Sequence, residues 1–414
     1  MTPSNRRPGR LTAGTLAIGT LAALAVTVAM AACSPGVSTL HATVYATPAA
    51  STGGAVSPIL TPTPTPPPTP VPPPFFAATA SMAEARGGHT ATTLQDGRVL
   101  VAGGWTNATP NNILKSAELF DPKTGKFTLT GSLHEVRANQ TATILNDGHV
   151  LIVGGFGGAS GASLKSAELF DPKTGKFTLT GPLANPRFDH TATLLADGRV
   201  LIAGGRNDTS APEGSAEIYD PATGKFAVTG ALKAARFWHT ATLLPSGLAL
   251  VAGGCDGLKA IASAELFDPA TGKFASAGSL TTTRDFHTAT ALKSGLVLIA
   301  GGQDAAGAHL ASAELYDPGT GKFNATGSLT TGRWSPGATL LADGRVLFAG
   351  GIGTAKYLTS AETYDPATGL FTDASPMTTA RSGQADALLL DGRVLVTGGR
   401  DEMSYWTSAE IWTV

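Results

Sequence analysis

Arginine and glutamate recur at regular intervals from residue 86 to residue 410 of this 414-residue chain. An arginine opens each of seven segments, and a glutamate follows 29 to 32 residues later. A ring of arginines could bind an anion, whereas paired guanidinium and carboxylate groups would form a bidentate ion pair within each segment. Because the two residue types recur one to one, we predict structural ion pairs. The arginines are Arg86, Arg137, Arg187, Arg236, Arg284, Arg333 and Arg381, and the glutamates are Glu118, Glu168, Glu217, Glu265, Glu314, Glu362 and Glu410.

Histidine stands three residues after the arginine in four of the seven segments. Imidazoles that converge from neighbouring segments could bind a metal ion. Each histidine is followed by the same Thr-Ala-Thr run, however, as a repeated hydrogen bond to a neighbouring segment would require. The sequence therefore predicts hydrogen-bonding histidines, no metal site and no cofactor. The histidines are His89, His190, His239 and His287, and the residues in their place elsewhere are Gln140, Pro336 and Gln384.

Aromatic residues follow the arginine in four consecutive segments, beside several polar residues. Exposed rings next to polar groups could form an apolar platform that holds a saccharide or a peptide. The same rings could instead pack between structural units as core, and the sequence leaves both interpretations open. The candidate ligand-binding residues are Phe188, Asp189, Arg206, Asn207, Asp208, Phe237, Trp238, Asp285, Phe286 and Trp334.

No nucleophile, metalloprotease, dinucleotide-binding or phosphate-loop motif appears in a suitable strand-to-helix setting. A hydrolytic or lyase pair of carboxylates is possible, but spacing alone identifies none, so we predict no catalytic residue. The loop carboxylates are Asp189, Asp208, Asp256, Asp285, Asp304 and Asp401.

One pattern repeats seven times from residue 75 onward. A Gly-Gly pair starts at residues 103, 154, 204, 253, 301, 350 and 398, and Ser-Ala-Glu follows in every copy. The period of 48 to 51 residues is typical of a propeller blade of four strands. Within each copy, two β-rich runs flank an Asp-Gly or Ser-Gly turn, and Asp-Pro-x-Thr-Gly introduces the last strand. We predict an all-β, seven-bladed β-propeller with four antiparallel strands in each blade.

Both ends of the chain contribute to the last blade in this prediction. The seventh copy ends after its third strand, and Phe76 precedes Arg86 by the same ten residues that separate Phe127 from Arg137. Residues 75–82 would therefore supply the missing fourth strand and cover an exposed sheet edge.

The double glycine, the aromatic-Asp-Pro run and the opening arginine resemble the Kelch family over residues 75–414. The resemblance implies a propeller fold and leaves function open, since Kelch propellers serve as peptide-binding, carbohydrate-associated and enzymatic domains. Galactose-oxidase-type enzymes, which are Kelch-like, require Tyr and His copper ligands, a Cys cross-linked to a Tyr, and a further domain. Cys255 is the only cysteine within the repeats, and we expect neither that domain nor copper oxidase activity.

Strand direction alternates within a blade, so one face would hold the loops after each Gly-Gly pair and the segments after each arginine. The opposite face would hold nearly identical turns. Because a ligand is recognised by surfaces that differ between blades, we expect any binding site on the variable face.

The N-terminal residues differ in composition from the repeats. Three arginines precede an uncharged apolar run, which indicates an export signal over residues 1–32. The Met-Ala-Ala-Cys run ending at Cys33 resembles a bacterial lipobox, in which Cys33 would be lipidated; simple secretion and an uncleaved anchor are the alternatives. Residues 33–74 are rich in Pro and Thr and predict a disordered stalk.

The formal net charge of −1 gives no reason to expect a nucleic-acid partner. We expect a monomeric, exported and lipid-anchored module of the cell envelope or cell surface that binds an extracellular glycan or protein on the variable face. A carbohydrate-active enzyme that uses the loop carboxylates and a purely structural surface protein are the alternatives.

Overall fold

The computed structural model describes residues 74–107, 112–158 and 161–413. The predicted export signal, Cys33 and the stalk as far as residue 73 lie outside these residues. Within the described ranges, no helix has the length and apolarity that a membrane span requires.

Seven four-stranded antiparallel sheets form the blades, numbered here in the chain order of their first strands. The first strands are Thr90–Thr93, Thr141–Ile144, Thr191–Leu194, Thr240–Leu243, Thr288–Ala291, Gly337–Leu340 and Ala385–Leu388. The second strands are Val99–Ala102, Val150–Val153, Val200–Ala203, Ala249–Ala252, Val297–Ala300, Val346–Ala349 and Val394–Thr397. The third strands are Ala117–Asp121, Ala167–Asp171, Ala216–Asp220, Ser263–Asp268, Ala313–Asp317, Ala361–Asp365 and Ala409–Trp412.

The fourth strands of blades 1 to 6 come from the same copy of the repeat, and that of blade 7 comes from the N-terminal side of the propeller. They are Lys126–Leu129, Lys176–Leu179, Lys225–Val228, Lys273–Ser279, Lys322–Ala325, Leu370–Ala374 and Phe76–Ala78. A further small sheet in blade 2 consists of Arg137–Ala138, Phe156–Gly157 and Ala162–Ser163. The fold is therefore the predicted all-β propeller of seven blades.

The hydrophobic core lies between the blades. In the described residues it forms seven clusters, and each one joins two adjacent sheets. Every second strand is buried along its whole length, because both of its faces pack against a neighbouring blade. This packing explains why these strands are continuous apolar runs and do not alternate with polar residues.

The strand predicted for residues 75–82 is shorter in the structure, Phe76–Ala78. It pairs antiparallel with Ala409–Trp412, with Phe76 opposite Trp412 and the two ring centroids 5.0 Å apart. The chain then continues along the same edge, since the Met82 amide donates to the Thr407 carbonyl at 2.9 Å. The seventh sheet is thus built from both sides of the repeat array.

Each repeated arginine is fully buried beside the glutamate of its own blade. In blade 3, Arg187 Nη2 lies 3.0 Å from Glu217 Oε1, and the other blades repeat this ion pair at 2.6 to 2.9 Å. The guanidinium also donates to the carbonyls of Gly204 (2.8 Å) and Ser215 (3.0 Å). Glu217 Oε2 accepts the Ala184 amide at 2.8 Å. We call this ion pair with its hydrogen bonds to the backbone the clamp of the blade. It connects the second strand, the third strand and the chain segment that arrives from the preceding blade.

The repeat is broken at two facing positions near the axis. Asp386 replaces an alanine that the other six first strands share, and Gly337 stands where five of them begin with threonine. A Cβ atom on Gly337 would overlap the Asp386 carboxyl, so the glycine makes room for it. Burial raises the pKa of Asp386 to about 7, although Arg381 acts in the opposite direction. Oδ1 of this carboxyl has no hydrogen-bond partner among the described residues.

Deleting residues 75–82 removes the fourth strand of blade 7 together with the buried side chains of Phe76 and Met82. Because the third strand then presents an open edge, we expect the melting temperature to fall by roughly 10 °C or more. Differential scanning calorimetry measures this change, and deletion of residues 61–68 controls for chain shortening. An unchanged melting temperature would contradict the pairing of the two strands.

Replacing Arg187 with Ala leaves Glu217 buried without its partner. We expect the free energy of unfolding to fall by about 3–5 kcal/mol, as when one member of a buried ion pair is removed. Arg187→Lys should also destabilise the protein, because a lysine cannot reach all of the acceptors from one planar fork. Arg345→Ala is the matched control: it removes the half-exposed pair with Asp343 at 2.7 Å and should cost less than about 1 kcal/mol. Urea denaturation compares the three variants, and equal losses would argue against the clamp.

Asp386→Asn should stabilise the protein increasingly as the pH rises from 4 to 8. The folded pKa of about 7 exceeds the unfolded value of about 3.9, so the folded state binds the proton more tightly. The wild-type protein therefore loses free energy of unfolding as the pH rises from 4 to 7. An asparagine at this position does not ionise, so the variant does not show this loss. Melting temperatures at pH 4, 6 and 8 measure the effect, with exposed Asp373→Asn as control. A stability difference between Asp386→Asn and wild type that is independent of pH would contradict the assigned pKa.

Candidate functional site

The residues two positions after each blade arginine surround the propeller axis. All seven have a positive φ, between 49° and 64°. Glycine adopts this left-handed conformation freely, whereas a large aromatic residue in it is an outlier that the surrounding structure must enforce. We call this set the axial ring; its members are Gly88, Asn139, Asp189, Trp238, Phe286, Ser335 and Gly383.

Backbone hydrogen bonds connect the axial ring from blade to blade. The Asn139 amide donates to the Gly88 carbonyl at 2.9 Å, and the Ser335 amide donates to the Phe286 carbonyl at 2.9 Å. Six such bonds, 2.8 to 3.4 Å long, link successive members. The position of each side chain is therefore set by the neighbouring blades and not by its own residue type.

All members of the axial ring line a cavity of about 820 Å³. Side chains from the loops after the Gly-Gly pairs complete its wall, so the cavity lies on the face that varies between blades. Its volume is in the range of small-molecule binding sites. The loop residues that line it are Trp105, Arg206, Gln303, Ile352, Arg400 and Tyr405.

Three of the candidate aromatic residues reach this cavity. Trp238 stacks on Phe286 with ring centroids 3.8 Å apart, and Phe286 meets Trp334 edge-on at 4.6 Å. The Arg206 guanidinium lies 4.7 Å from the Trp238 ring. Trp238 therefore contacts both Arg206 and Phe286 and lines the cavity with them.

Two other candidate aromatic residues belong to the core beneath the cavity. Phe188 is 7% exposed and Phe237 is 4% exposed, and Arg206 lies over them at 4.6 and 5.0 Å. Phe156, which the sequence prediction did not include, extends the aromatic contacts to blade 2 at 5.4 Å from Phe188. The core interpretation thus applies to Phe188 and Phe237, whereas Trp238, Phe286 and Trp334 line the cavity.

A chain of polar contacts crosses the wall of the cavity. Arg206 Nε lies 2.8 Å from Asp189 Oδ2, and Asp189 Oδ1 accepts a hydrogen bond from Asn139 Nδ2 at 2.9 Å. Asn139 Oδ1 in turn accepts from Trp105 Nε1 at 3.2 Å. Burial raises the pKa of Asp189, while the charge of Arg206 acts to lower it. These groups satisfy one another and hold the rings of blades 1 to 4 in place.

Three predicted polar residues do not line the cavity. Asn207 donates its side-chain amide to Glu213 at 3.1 Å, and Asp208 bonds Ser163 in the neighbouring blade. Asp285 is 7% exposed, and burial raises its pKa to about 6. These side chains are used within the loops or beneath the cavity.

The repeated histidines join neighbouring blades near the axis. His190 Nε2 lies 3.0 Å from Thr141 Oγ1 of the preceding blade, and His89, His239 and His287 make the equivalent contact. Burial lowers the pKa of His239 to about 3 and those of the others well below the usual value, so the rings are neutral. The described residues contain no cluster of three His, Cys, Asp or Glu side chains arranged to hold a metal ion.

The sequence prediction missed several cavity residues because it selected aromatic and polar residues by type. It did not compare equivalent positions of the seven copies. Trp105, Gln303 and Arg400 share with Arg206 the first position after the Gly-Gly pair. Aligning the seven copies at that position would have found them. Arg400 is exposed and lies in blade 7, across the axis from Arg206.

The comparisons with known proteins agree with this architecture. Residues 85–134 and 138–183 match the family model of the Kelch motif. A fungal alcohol oxidase of the AA5 family, solved in complex with copper, is similar in structure, with 17% identity and a TM-score of 0.69 over 82% of this chain and 76% of that one. At this identity the likeness concerns the fold alone. No curated protein matches the chain.

The described residues do not present a donor set that fits copper of that enzyme class. Cys255 is a buried free cysteine, and burial raises the pKa of its thiol. The histidines at the cavity, His89 and His190, use Nε2 for hydrogen bonds with threonine hydroxyls. A Kelch propeller suits a binding module or an enzyme-like scaffold. Residues 85–134 and 138–183 are Kelch motifs, and the described repeats fold as a Kelch-type β-propeller of seven blades.

Proposed function

We propose that the protein is an exported binding module that holds an extracellular glycan in the cavity lined by the axial ring. The export signal and the lipobox at Cys33 support placement at the cell envelope or surface, with residues 33–74 as the spacer between lipid anchor and propeller. This part of the proposal rests on the sequence.

The observation that supports ligand binding is the cavity itself. Its lining includes residues that differ between blades, and it joins aromatic side chains to hydrogen-bonding side chains such as Asn139, Gln303 and Ser335. A saccharide offers both apolar C–H groups and hydroxyls to such a surface. Trp238 and Phe286 adopt a strained backbone conformation there, and strain of this kind is concentrated at functional sites.

The arrangement of carboxylates favours binding over hydrolysis. Among the described residues, Asp189 is the one aspartate or glutamate that lines the cavity, and its oxygens are occupied by Arg206 and Asn139. The loop residues Asp256 and Asp304 accept backbone amides of their own loops. A glycosidase of the usual kind needs two free carboxyl groups flanking the bond to be cleaved.

Trp334→Ala and Trp238→Ala should each weaken glycan binding at least tenfold, because each removes part of the aromatic wall. A glycan array followed by calorimetry on the ligand found measures the loss. Leu258→Ala is the control: its side chain is 93% exposed on the same face but lies outside the cavity lining. Melting temperatures close to that of the wild type establish that the variants are folded.

Three results would contradict the proposal in different ways. Absence of binding to every glycan would leave a protein ligand or a purely structural role. Turnover of a bound sugar would indicate a carbohydrate-active enzyme. Equal losses in Leu258→Ala and Trp334→Ala would place the binding surface outside the cavity.

A further inference from the structure

Two arginines occupy the same structural position in different blades. Arg206 and Arg400 are each the first residue after a Gly-Gly pair. The amide of Arg206 donates to the Phe188 carbonyl at 2.9 Å, and that of Arg400 donates to the Ser382 carbonyl at 2.9 Å. Both side chains therefore start from the same backbone geometry, beside the axial ring of their own blade.

The two blades differ in what faces the arginine. In blade 3 the axial ring supplies Asp189, whose Oδ2 lies 2.8 Å from Arg206 Nε. In blade 7 the corresponding residue is Gly383, with a φ of 64° against 55° for Asp189. The backbone conformation is preserved and the carboxylate is missing. Arg400 is exposed, and its side chain has no hydrogen bond or ion pair within the described part of the chain.

The space next to Arg400 is open. A Cβ atom built on Gly383 would meet only the Gly88 backbone nitrogen, at an ordinary contact distance of 3.7 Å. Gly87 and Gly88 of blade 1 also line this part of the cavity. Tyr405 of blade 7 and Trp105 of blade 1 also line this sector, packed against Gly87 and Gly88. The open space lies over Gly383 itself, where blade 3 has Asp189.

Among the described residues, the side chains that line the cavity carry a net positive charge. Arg206 and Arg400 are its cations, and its one carboxylate, Asp189, pairs with Arg206. The buried histidines are uncharged. Asp401 and Glu402, which follow Arg400 in sequence, lie outside this lining, as does Asp386.

We propose that the glycan is acidic, and that a hexuronate carboxylate lies over Gly383 and pairs with Arg400. It takes the place in blade 7 that Asp189 holds in blade 3. Guanidinium and carboxylate groups match as a planar, charge-assisted pair. This inference depends on the proposed glycan-binding function and names the ligand class for the same site.

In the first test, two trisaccharides are titrated calorimetrically into the full chain. They differ only in C6 of one sugar, which is a carboxylate in the first trisaccharide and a hydroxymethyl group in the second. We expect the uronate trisaccharide to bind at least tenfold more tightly than the neutral one. Arg400→Gln should abolish this preference. Arg400→Lys should retain part of it, because the charge remains and the planar fork is lost.

The second test places a side chain of the protein in the space proposed for the ligand carboxylate. Asn139 and Asp189 show that asparagine and aspartate both adopt the axial-ring conformation. Gly383→Asp places a carboxylate beside Arg400, and Gly383→Asn adds the same bulk without the charge. We expect uronate affinity to be at least tenfold lower in Gly383→Asp than in Gly383→Asn.

The possible results distinguish the proposed carboxylate site from the proposed glycan binding on which it depends. Equal affinity of the two trisaccharides, or equal losses in both Gly383 variants, would overturn the carboxylate site and leave glycan binding intact. Absence of binding to any saccharide would overturn the proposed function. Binding of a poly-glutamate peptide alone, dependent on Arg400, would overturn the saccharide assignment.

Discussion

The buried pair of arginine and glutamate is the interaction on which the propeller depends. Each guanidinium ties together the end of a second strand, the start of a third strand and the chain arriving from the preceding blade. A buried charged pair is stable only when hydrogen bonds compensate its loss of water, and here backbone carbonyls and amides supply most of them. Among the described residues, the guanidinium Nε atoms that lack a partner are those of Arg86, Arg137, Arg187 and Arg284. Because the axial-ring residue lies two positions after the arginine, the clamp also fixes where the residues lining the cavity begin.

The seven clamps divide the repeat into positions with different freedom. Positions that form the clamp, the Gly-Gly pair and the second strand hardly vary, since each contributes to a contact between or within blades. The backbone of the axial ring and of the first residue after Gly-Gly is held by hydrogen bonds that do not depend on residue type, so the side chains can differ. Blade 3 uses Asp189 and Arg206 there, whereas blade 7 uses Gly383 and Arg400. Diversity is thereby concentrated around one cavity.

The periodic features could be predicted because they follow from the intervals between repeated residues in the sequence. The interval between Gly-Gly pairs indicated the blades, and one-to-one recurrence distinguished an ion pair from an anion ring. Individual side chains were harder to place. Phe188 stands one position after its arginine and Trp238 two. Phe188 is buried, whereas Trp238 has the positive φ of the axial ring and lines the cavity. Asn207 and Asp208 appeared free in sequence but are bonded in or between loops. Asp386 depends on Gly337 in a different blade, a relation that no spacing within one repeat reveals.

The pairing of Phe76–Ala78 with Ala409–Trp412 also has a mechanical consequence. Any tension transmitted along the chain before residue 74 enters the propeller at this strand, which is three residues long, whereas the other fourth strands have four to seven. Load on a tether would therefore act first on the seam between the N-terminal strand and the C-terminal strand. Blade 7, which also holds Gly383 and Arg400, is the blade that a pull on the tether would deform first.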